Sequence, residues 1–448
     1  MQNKTSYLTR FSYASSDMAG QLIFGVVSFY IFKFYTDVVG LSATVAGTIM
    51  LIARLEDAID TPIWGILLDK TKSKLGKSRP WFLRLCIPFS IFGVLTFLSP
   101  DLSGNGKAIY AAVTYIILGS IYTGINTPVT SILSALSADP KERVTLTCYR
   151  MFGSKVGVLL MNATFLPLVG ILGQGDDKKG YLLTMPIFAL GSLALYLFAF
   201  RNLEEKIPSE QEPMPVKKAF KAFKGNWPWI IIFISCFFFW VAFIARITVV
   251  PHFFEYVWGN KGIIPLVNSL DFLSLGAIFM IPWFCKWARK GTIWAWGLGL
   301  SAVSQVVLYI GVSSNSMTLL MIGWIGGIMT SGVAMALPFS LLSDSVDFGE
   351  WKTGVRSAGL LTAIGTGFCL KAGSGLGGAL PAWIMGATGY QANQVQTPEA
   401  ISGIEIGFIW LPAVFYIVAL MPVLFYRKYE EMEPQIQEAL NERRSSAS

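Results

Sequence analysis

The stretch ARLEDAIDTPIWGILLDKTKSKLGKSRPW, residues 53–81, passes from a mainly apolar segment into a strongly basic one. The first part carries a few charges among apolar residues. The second part holds five lysines and arginines between Lys70 and Arg79. Clusters of positive charge mark the ends of membrane helices that face the cytoplasm. The stretch therefore predicts a transmembrane helix followed by a cytoplasmic loop.

The composition of the whole chain favours the same interpretation. Of 448 residues, 53% are hydrophobic and 14% are charged, against roughly 25% charged residues in a typical soluble domain. This composition argues against a soluble enzyme. The net charge of +8 is spread over short loops, which argues against nucleic-acid binding. The five cysteines show no CxxC spacing, so we predict neither disulfides nor a cysteine metal site.

Apolar segments follow one another along the chain, each near the length of about 20 residues that a helix needs to cross a bilayer. Helices are required because lipid offers no partners for backbone polar groups. Basic residues are concentrated in every second loop, so both termini are predicted to be cytoplasmic. The twelve predicted spans are 12–36, 42–68, 82–99, 107–136, 146–173, 181–200, 228–258, 263–285, 292–313, 317–341, 357–387 and 403–426.

A polar, proline-containing segment at 201–227 divides these spans equally. We therefore predict an all-α membrane protein with twelve transmembrane helices in two six-helix halves. The N-terminal bundle covers 1–200, the cytoplasmic linker 201–227, the C-terminal bundle 228–426 and the cytoplasmic tail 427–448.

Acidic residues on the second span are the first candidates for a functional site. Placing an ionisable side chain within a membrane helix costs at least roughly 2.5–3.5 kcal/mol of free energy, so such a residue is a candidate for a functional role. Asp57 and Asp60 are three residues apart and share a helical face, and Arg54 lies three residues before Asp57. Two neighbouring carboxylates can bind a small cation or share a proton. The alternative is a structural cluster of ion pairs near a helix end.

Other charged residues on the spans have two open interpretations each. Asp17 either caps the first span or bonds to the fifth or the seventh span. Arg150 either clamps a substrate through its planar donors or ties helices together. Lys371 lies in the middle of the eleventh span and needs either a carboxylate partner or an anionic substrate.

A further four polar residues are given structural roles. Lys33 is predicted to extend its ammonium group towards the membrane surface. Arg246 and Asp271 are interpreted as structural charges that could pair with each other. His252, the only histidine, has no adjacent carboxylate or nucleophile in the sequence and is not expected to be catalytic.

Longer motifs resemble those of a known family. The segments 34–81, with its DxTxSxxGKxRPW pattern, 122–146 and SDSVDFGEWKTGVR at 343–356 are similar to the glycoside–pentoside–hexuronide:cation symporters, and GYQANQVQTP at 389–398 is similar to glucuronide carriers among them. The resemblance extends along nearly the whole chain. It implies the major facilitator fold and uptake of a glycoside together with H⁺, Na⁺ or Li⁺, without a cofactor.

Carried over by position, the resemblance places the coupling cation at Asp57, with Thr123 beside it. The family's second aspartate falls on Thr61, and Asp60 stands one residue earlier, about 100° away around the helix. This shift makes proton coupling as reasonable as Na⁺ coupling. If Na⁺ is the cation, Asp57 and Asp60 are its predicted ligands.

The resemblance also places the sugar at Arg150 and Lys371, with Asp17 as a further candidate. Two sugar-binding carboxylates of the family fall on Gln21 and Asn126, which are neutral amides here. Loss of two negative charges favours an anionic sugar such as a hexuronide or glucuronide. A neutral glycoside or pentoside and, more distantly, a lysolipid are the alternatives.

The cytoplasmic loops are predicted to form a gating network that includes Arg79, Asp347 and Arg356. The expected partners are a glycoside, a coupling cation and the lipid bilayer, with no nucleic acid, in a monomer of the bacterial inner membrane. A membrane enzyme is disfavoured, because the chain has one histidine and lacks HExxH and GxSxG motifs.

Overall fold

The computed structural model describes residues 5–71, 73, 75–137, 140–205, 223–354, 361 and 363–446, and these contain helices and no strands. The helices are α1 Tyr7–Lys33, α2 Ala43–Asp69, α3 Arg79–Thr96, α4 Gly104–Leu136, α5 Pro140–Gly173, α6 Asp177–Asn202, α7 Trp227–His252, α8 Ile264–Ser269, α9 Ser274–Phe284, α10 Lys290–Ser313, α11 Met317–Thr353, α12 Cys369–Ala387, α13 Pro398–Glu405, α14 Leu411–Val423 and α15 Arg427–Ser446.

Each of the twelve predicted spans overlaps a helical segment of the described part, and residues 357–360 at the start of the eleventh span lie outside that part. Nine of the helical segments there are long and apolar enough to cross a bilayer by length and composition alone. The second span is not among these nine, and it is the span that carries Arg54, Glu56, Asp57 and Asp60. The predicted class of helical membrane protein is therefore confirmed.

Several helices are interrupted or longer than predicted. The eighth span consists of α8 and α9, separated by a 3₁₀ turn at Leu270–Leu273. The tenth span continues beyond residue 341 as far as Thr353, and its added turns are largely buried, with Asp344, Val346 and Phe348 each at most 9% exposed. It ends at Gly354, whose φ of 69° is left-handed and suits glycine. Short π-helical segments extend α1 and α7 at their C-terminal ends.

Several helices begin at side-chain caps. The hydroxyl of Ser42 accepts a hydrogen bond from the Val45 amide at the start of α2, and Ser103 does the same for Gly106 at the start of α4. Such caps satisfy backbone donors that have no partner within the helix. These two hydroxyls therefore fix the beginnings of the helices that carry Asp57 and Thr123.

The chain divides into two compact units. Unit 1 contains Met1–Gln211, Val250–Phe272 and Ala382–Gly403, and unit 2 contains Glu212–Val249, Leu273–Pro381 and Ile404–Ser448. The predicted division into halves at 201–227 stays a prediction, and residues 206–222 of that linker lie outside the described part.

Within unit 1, α1 packs against α5 and α6, and α2 packs against α4. Glycine permits the closest of these approaches. A Cβ atom at Gly153 of α5 would lie 2.2 Å from the carbonyl oxygen of Ala14 on α1. In unit 2, α10 packs against α11 and α14 around buried Trp294, Leu298 and Tyr416.

Candidate substrate and cation sites

Arg150 and Asp17 form the centre of a polar cluster between α5 and α1. Arg150 Nε lies 3.0 Å from Asp17 Oδ1, and both side chains are about four-fifths buried. The guanidinium also donates to Asn126 Oδ1 at 3.2 Å and to Thr130 Oγ1 at 3.3 Å, both on α4. The structure therefore brings together three predicted substrate residues, Asp17, Asn126 and Arg150. We call these three and Thr130 the Arg150 cluster.

Gln21 lies one turn beyond Asp17 on α1, at the contact with α5. A Cβ atom at Gly157 would meet Gln21 Cβ at 3.0 Å, so the glycine makes room for this side chain. Nearby, Phe24 stacks on Tyr122 with ring centroids 4.0 Å apart. The Arg54 guanidinium also lies over the Phe24 ring, 4.8 Å from its centroid, so this buried ring packs between Tyr122 and Arg54.

Asp57 and Thr123 form the predicted cation site. The Thr123 hydroxyl donates to Asp57 Oδ1, and Arg54 Nη1 lies 3.6 Å from Asp57 Oδ2. Asp57 is only 4% exposed and Asp60, one turn further along α2, is 6% exposed. The two carboxylates are thus both buried on one helix, and a threonine hydroxyl lies at the first of them.

The remaining predicted residues are distributed over both units. Lys371 lies half-buried on α12 in unit 2, and its place in the sugar site stays a prediction. Arg79 of unit 1 donates to the carbonyl of Phe200 at 3.0 Å. Asp347 of unit 2 accepts from Gln437 at 3.1 Å. Arg356 lies outside the described residues, so the predicted gating network also stays a prediction.

Asp37 is the hub of a network that the sequence interpretation missed. Its carboxylate accepts hydrogen bonds from Lys33 at 2.6 Å, Tyr256 at 2.9 Å and Tyr390 at 2.7 Å. Lys33 also pairs with Glu255. We call these five residues the Asp37 cluster; all of them belong to unit 1.

The predicted role of Lys33 is therefore wrong. Its side chain is buried and paired with two carboxylates rather than extended to the membrane surface. The spacing of Lys33 and Asp37, four residues apart on one helix, is a signal that could have indicated the pair. His252 is fully buried beside the cluster, with Nε2 at 3.1 Å from the Thr36 hydroxyl.

A second ion pair was also missed. Lys155 Nζ on α5 lies 2.6 Å from Asp271 Oδ2 in the 3₁₀ turn that separates α8 from α9. Close by along α8, Asn268 donates to the Tyr30 hydroxyl at 3.2 Å. The cost of a charge in the membrane could have singled out Lys155, but the broken helix has no glycine or proline at 270–273 to announce it. Arg246 of unit 2 donates to the Trp324 carbonyl at 2.9 Å.

The sequence matches a known protein family and several of its relatives. A family model described as MFS/sugar transport protein matches residues 12–428. The isoprimeverose transporter of Lactiplantibacillus pentosus is 37% identical over 439 residues, which cover 97% of this chain and 91% of that protein.

Two proteins of Escherichia coli (strain K12) are also similar. A putative glycoside/cation symporter is 31% identical, covering 93% of this chain and 91% of its own length. A glucuronide carrier protein homolog is 27% identical, covering 97% of this chain and 96% of its own length.

Proposed function

Because the chain belongs to the MFS/sugar transport family, among the glycoside–pentoside–hexuronide:cation symporters, we propose that it moves a glycoside and a cation together by alternating access. The protein is a multi-pass membrane transporter of the major facilitator fold and not an enzyme. A relative named as a glycoside/cation symporter supports both the substrate class and the coupling.

One observation carries the proposal for coupling. Thr123 and Asn126 are three residues apart on α4; Thr123 bonds to Asp57, and Asn126 bonds to Arg150. A change of charge at Asp57 therefore acts on the helix that also holds the Arg150 cluster. The aromatic pair supplies a second link, because the Arg54 guanidinium lies 4.8 Å from the Phe24 ring that stacks on Tyr122, next to Thr123.

In this proposal the cation binds first at Asp57, with Asp60 and Thr123 as its other oxygen ligands. Its positive charge replaces part of the attraction between Asp57 and Arg54. α2 and α4 then settle around the cation, which orients Asn126 and Arg150 for the sugar. Coupling between two ligands of this kind is typically worth 1–3 kcal/mol. The energy comes from the cation gradient, so we propose no resident cofactor.

The Arg150 cluster suits the hydroxyls of a glycoside. A guanidinium supplies donors, while carboxylate and amide oxygens supply acceptors, and both directions are needed for sugar hydroxyls. Asp17 neutralises part of the charge of Arg150, so the site has less positive charge with which to select an anionic sugar. A neutral glycoside is therefore our first candidate, and a glucuronide, favoured by the amides at Gln21 and Asn126, is the second.

We also propose that the protein is a monomer in the bacterial inner membrane with both termini cytoplasmic. The alternation of basic and charge-poor loops supports this orientation. Lys371 would complete the sugar site, and Arg79, Asp347 and Arg356 would belong to the cytoplasmic gate.

Binding to the purified protein tests the substrate class. Isoprimeverose and a glucuronide should be titrated separately in the presence of Na⁺, and again in its absence at two pH values. Tighter binding of isoprimeverose supports the neutral candidate, and tighter binding of the glucuronide supports the anionic one. Failure of both sugars to bind would reject both candidates.

A further inference from the structure

The carboxylate of Glu205, just after the end of α6, accepts three backbone hydrogen bonds at the beginning of α3. Its Oε2 accepts from the Lys77 amide at 2.9 Å, and its Oε1 accepts from the amides of Ser78 and Arg79 at 2.6 and 3.2 Å. Successive amides that converge on one anion form a nest. Both segments belong to unit 1, and the transport proposal gives Glu205 no role.

The nest satisfies backbone donors that α3 cannot satisfy by itself. The first N–H groups of a helix have no acceptor within the helix. The Ser78 side chain makes no capping hydrogen bond to α3, and Pro80 has no amide hydrogen. The Trp81 amide donates to the Ser78 carbonyl at 3.1 Å. Glu205 therefore caps the three amides before Pro80, and its negative charge is favourable at a helix N-terminus.

Gly76 leaves room for this carboxylate. Its φ of 98° lies in the left-handed region, which glycine adopts without strain. A Cβ atom at this position would lie 2.5 Å from the carboxylate carbon of Glu205. The loop before α3 is thus shaped around an acidic side chain that comes from the end of α6.

The first turn of α3 is in contact with α2 through Trp81. Its Nε1 donates to the hydroxyl of Thr71, two residues after the end of α2, at 3.0 Å. Its ring meets Trp64 of α2 edge to face, with ring centroids 5.5 Å apart. Because Trp81 contacts α2 at two points, the beginning of α3 helps to set the position of the C-terminal part of α2.

Trp64 in turn lies against α4 beside the candidate cation site. Its Nε1 donates to Ser120 Oγ at 3.3 Å, and a Cβ atom at Gly124 would lie 2.8 Å from its indole ring. Thr123, which donates to Asp57, lies between these two positions on α4. A continuous chain of contacts thus runs from the nest through two tryptophans to the candidate cation site.

We propose that Glu205 is a positioning residue for this cation site, an inference that rests on the proposed function. Glu205 acts through other residues and is not a ligand. By capping α3 it keeps Trp81 on α2 and Trp64 on α4, which holds Asp57 and Thr123 in register for a shared cation. Packed side chains and hydrogen bonds of this kind can carry energetic coupling between distant positions. Loss of the carboxylate therefore weakens cation binding without removing a ligand.

Hydrogen–deuterium exchange of the purified full-length protein tests the nest. Glu205→Gln removes the charge at constant size, and Gly76→Ala places a methyl group where the carboxylate lies. In both variants the amides of residues 77–79 should exchange at least about tenfold faster, because they lose hydrogen bonds to an ionised acceptor. Glu204→Gln, at the exposed neighbouring carboxylate, is the matched control and should leave the exchange unchanged.

The double variant of Gly76→Ala and Glu205→Gln separates this effect from backbone strain at residue 76. It should exchange no faster than Gly76→Ala alone, because the methyl group has already expelled the carboxylate. Unchanged exchange at residues 77–79 in Glu205→Gln, or effects of the two substitutions that simply add, would overturn the proposal.

Sugar uptake into proteoliposomes tests the positioning role. The Na⁺ and H⁺ concentrations that give half-maximal uptake of labelled isoprimeverose or glucuronide should be measured for wild type, Glu205→Gln, Gly76→Ala and Glu204→Gln. We expect Glu205→Gln and Gly76→Ala to need roughly fivefold more cation at a nearly unchanged maximal rate, and Glu204→Gln to behave as wild type. A merely structural role would lower the maximal rate instead.

Faster exchange at residues 77–79 together with an unchanged cation requirement would make Glu205 a structural cap only and overturn the proposal. Wild-type protein that takes up neither sugar would reject the proposed function itself. That outcome is distinguishable because it does not involve the variants.

Discussion

Thr123 and Asn126 lie one turn apart on α4, and each binds a charged residue of a different neighbouring helix. Thr123 donates to Asp57 of α2, and Asn126 accepts from Arg150 of α5. The candidate cation site and the candidate sugar site thus share one rigid element. In our proposal this helix transmits a change at one site to the other, as coupled transport requires.

The Thr123 hydroxyl is the first test of this link. Thr123→Val removes the hydrogen bond to Asp57 at nearly constant volume, whereas Thr123→Ser retains it. We expect Thr123→Val to lower cation-dependent sugar accumulation at least about tenfold, the effect of one charge-assisted hydrogen bond. Thr123→Ser should remain within about threefold of wild type on the same scale. Equal accumulation by the two variants would show that the hydroxyl is not used.

The planar geometry of Arg150 is the basis of the second prediction. Its guanidinium reaches Asp17, Asn126 and Thr130 at once, and an ammonium group cannot reproduce that fork. Arg150→Lys should therefore weaken sugar binding by roughly tenfold or more, although the charge is kept. The measurement is calorimetric titration of the purified protein. Thr130→Val, which removes only the weakest contact, should change affinity by less than about threefold; an equal loss in both variants would contradict the argument.

The Asp37 cluster predicts a local change in dynamics. Asp37 joins α1 to residues that follow α7 and α12, so Asp37→Asn should loosen the segment 389–397. Hydrogen–deuterium exchange of peptides from that segment should become faster, while peptides of α4 stay unchanged. Lys261 is exposed and lies a few residues after Tyr256 in the sequence. Lys261→Ala is therefore the control and should leave the exchange of segment 389–397 unchanged. Unchanged exchange in Asp37→Asn would mean that the cluster does not hold this segment.

The Lys155–Asp271 pair should behave as a coupled unit. Loss of either partner takes the close opposite charge away from the other, which is destabilising within the membrane region. Lys155→Met and Asp271→Leu should each lower the unfolding temperature. The double variant should be more stable than the sum of the two losses predicts. Strictly additive losses in thermal unfolding would show that the two side chains do not stabilise each other.

The sequence identified charged residues of the predicted spans and residues within recognisable family motifs. The burial cost of a charge singled out Asp57, Asp60 and Arg150, and the family resemblance placed Thr123 and Asn126 beside them. In the structure Thr123 bonds to Asp57 and Asn126 bonds to Arg150, and the roles of these four residues in cation and sugar binding stay predictions. Asp60 is buried on the same helix as predicted, and its role in cation binding stays a prediction.

The Asp37 cluster could not be predicted in the same way. Its members come from positions as distant as Lys33, Glu255 and Tyr390, and their meeting depends on how separate helices end near one another. A single sequence has no periodic signal for such contacts. The break between α8 and α9 could not be predicted either, because the apolar pattern continues through residues 270–273 without a helix-breaking residue.

The most direct test of the account is the dependence of sugar accumulation on the cation at Asp57. Uptake of labelled sugar into proteoliposomes should be measured under an inward proton gradient, with and without Na⁺, for wild type and Asp57→Asn. We predict that wild type accumulates the sugar against its gradient, while Asp57→Asn only equilibrates it and still exchanges it across the membrane. Normal gradient-driven accumulation by Asp57→Asn would contradict the assignment of Asp57 as the coupling residue.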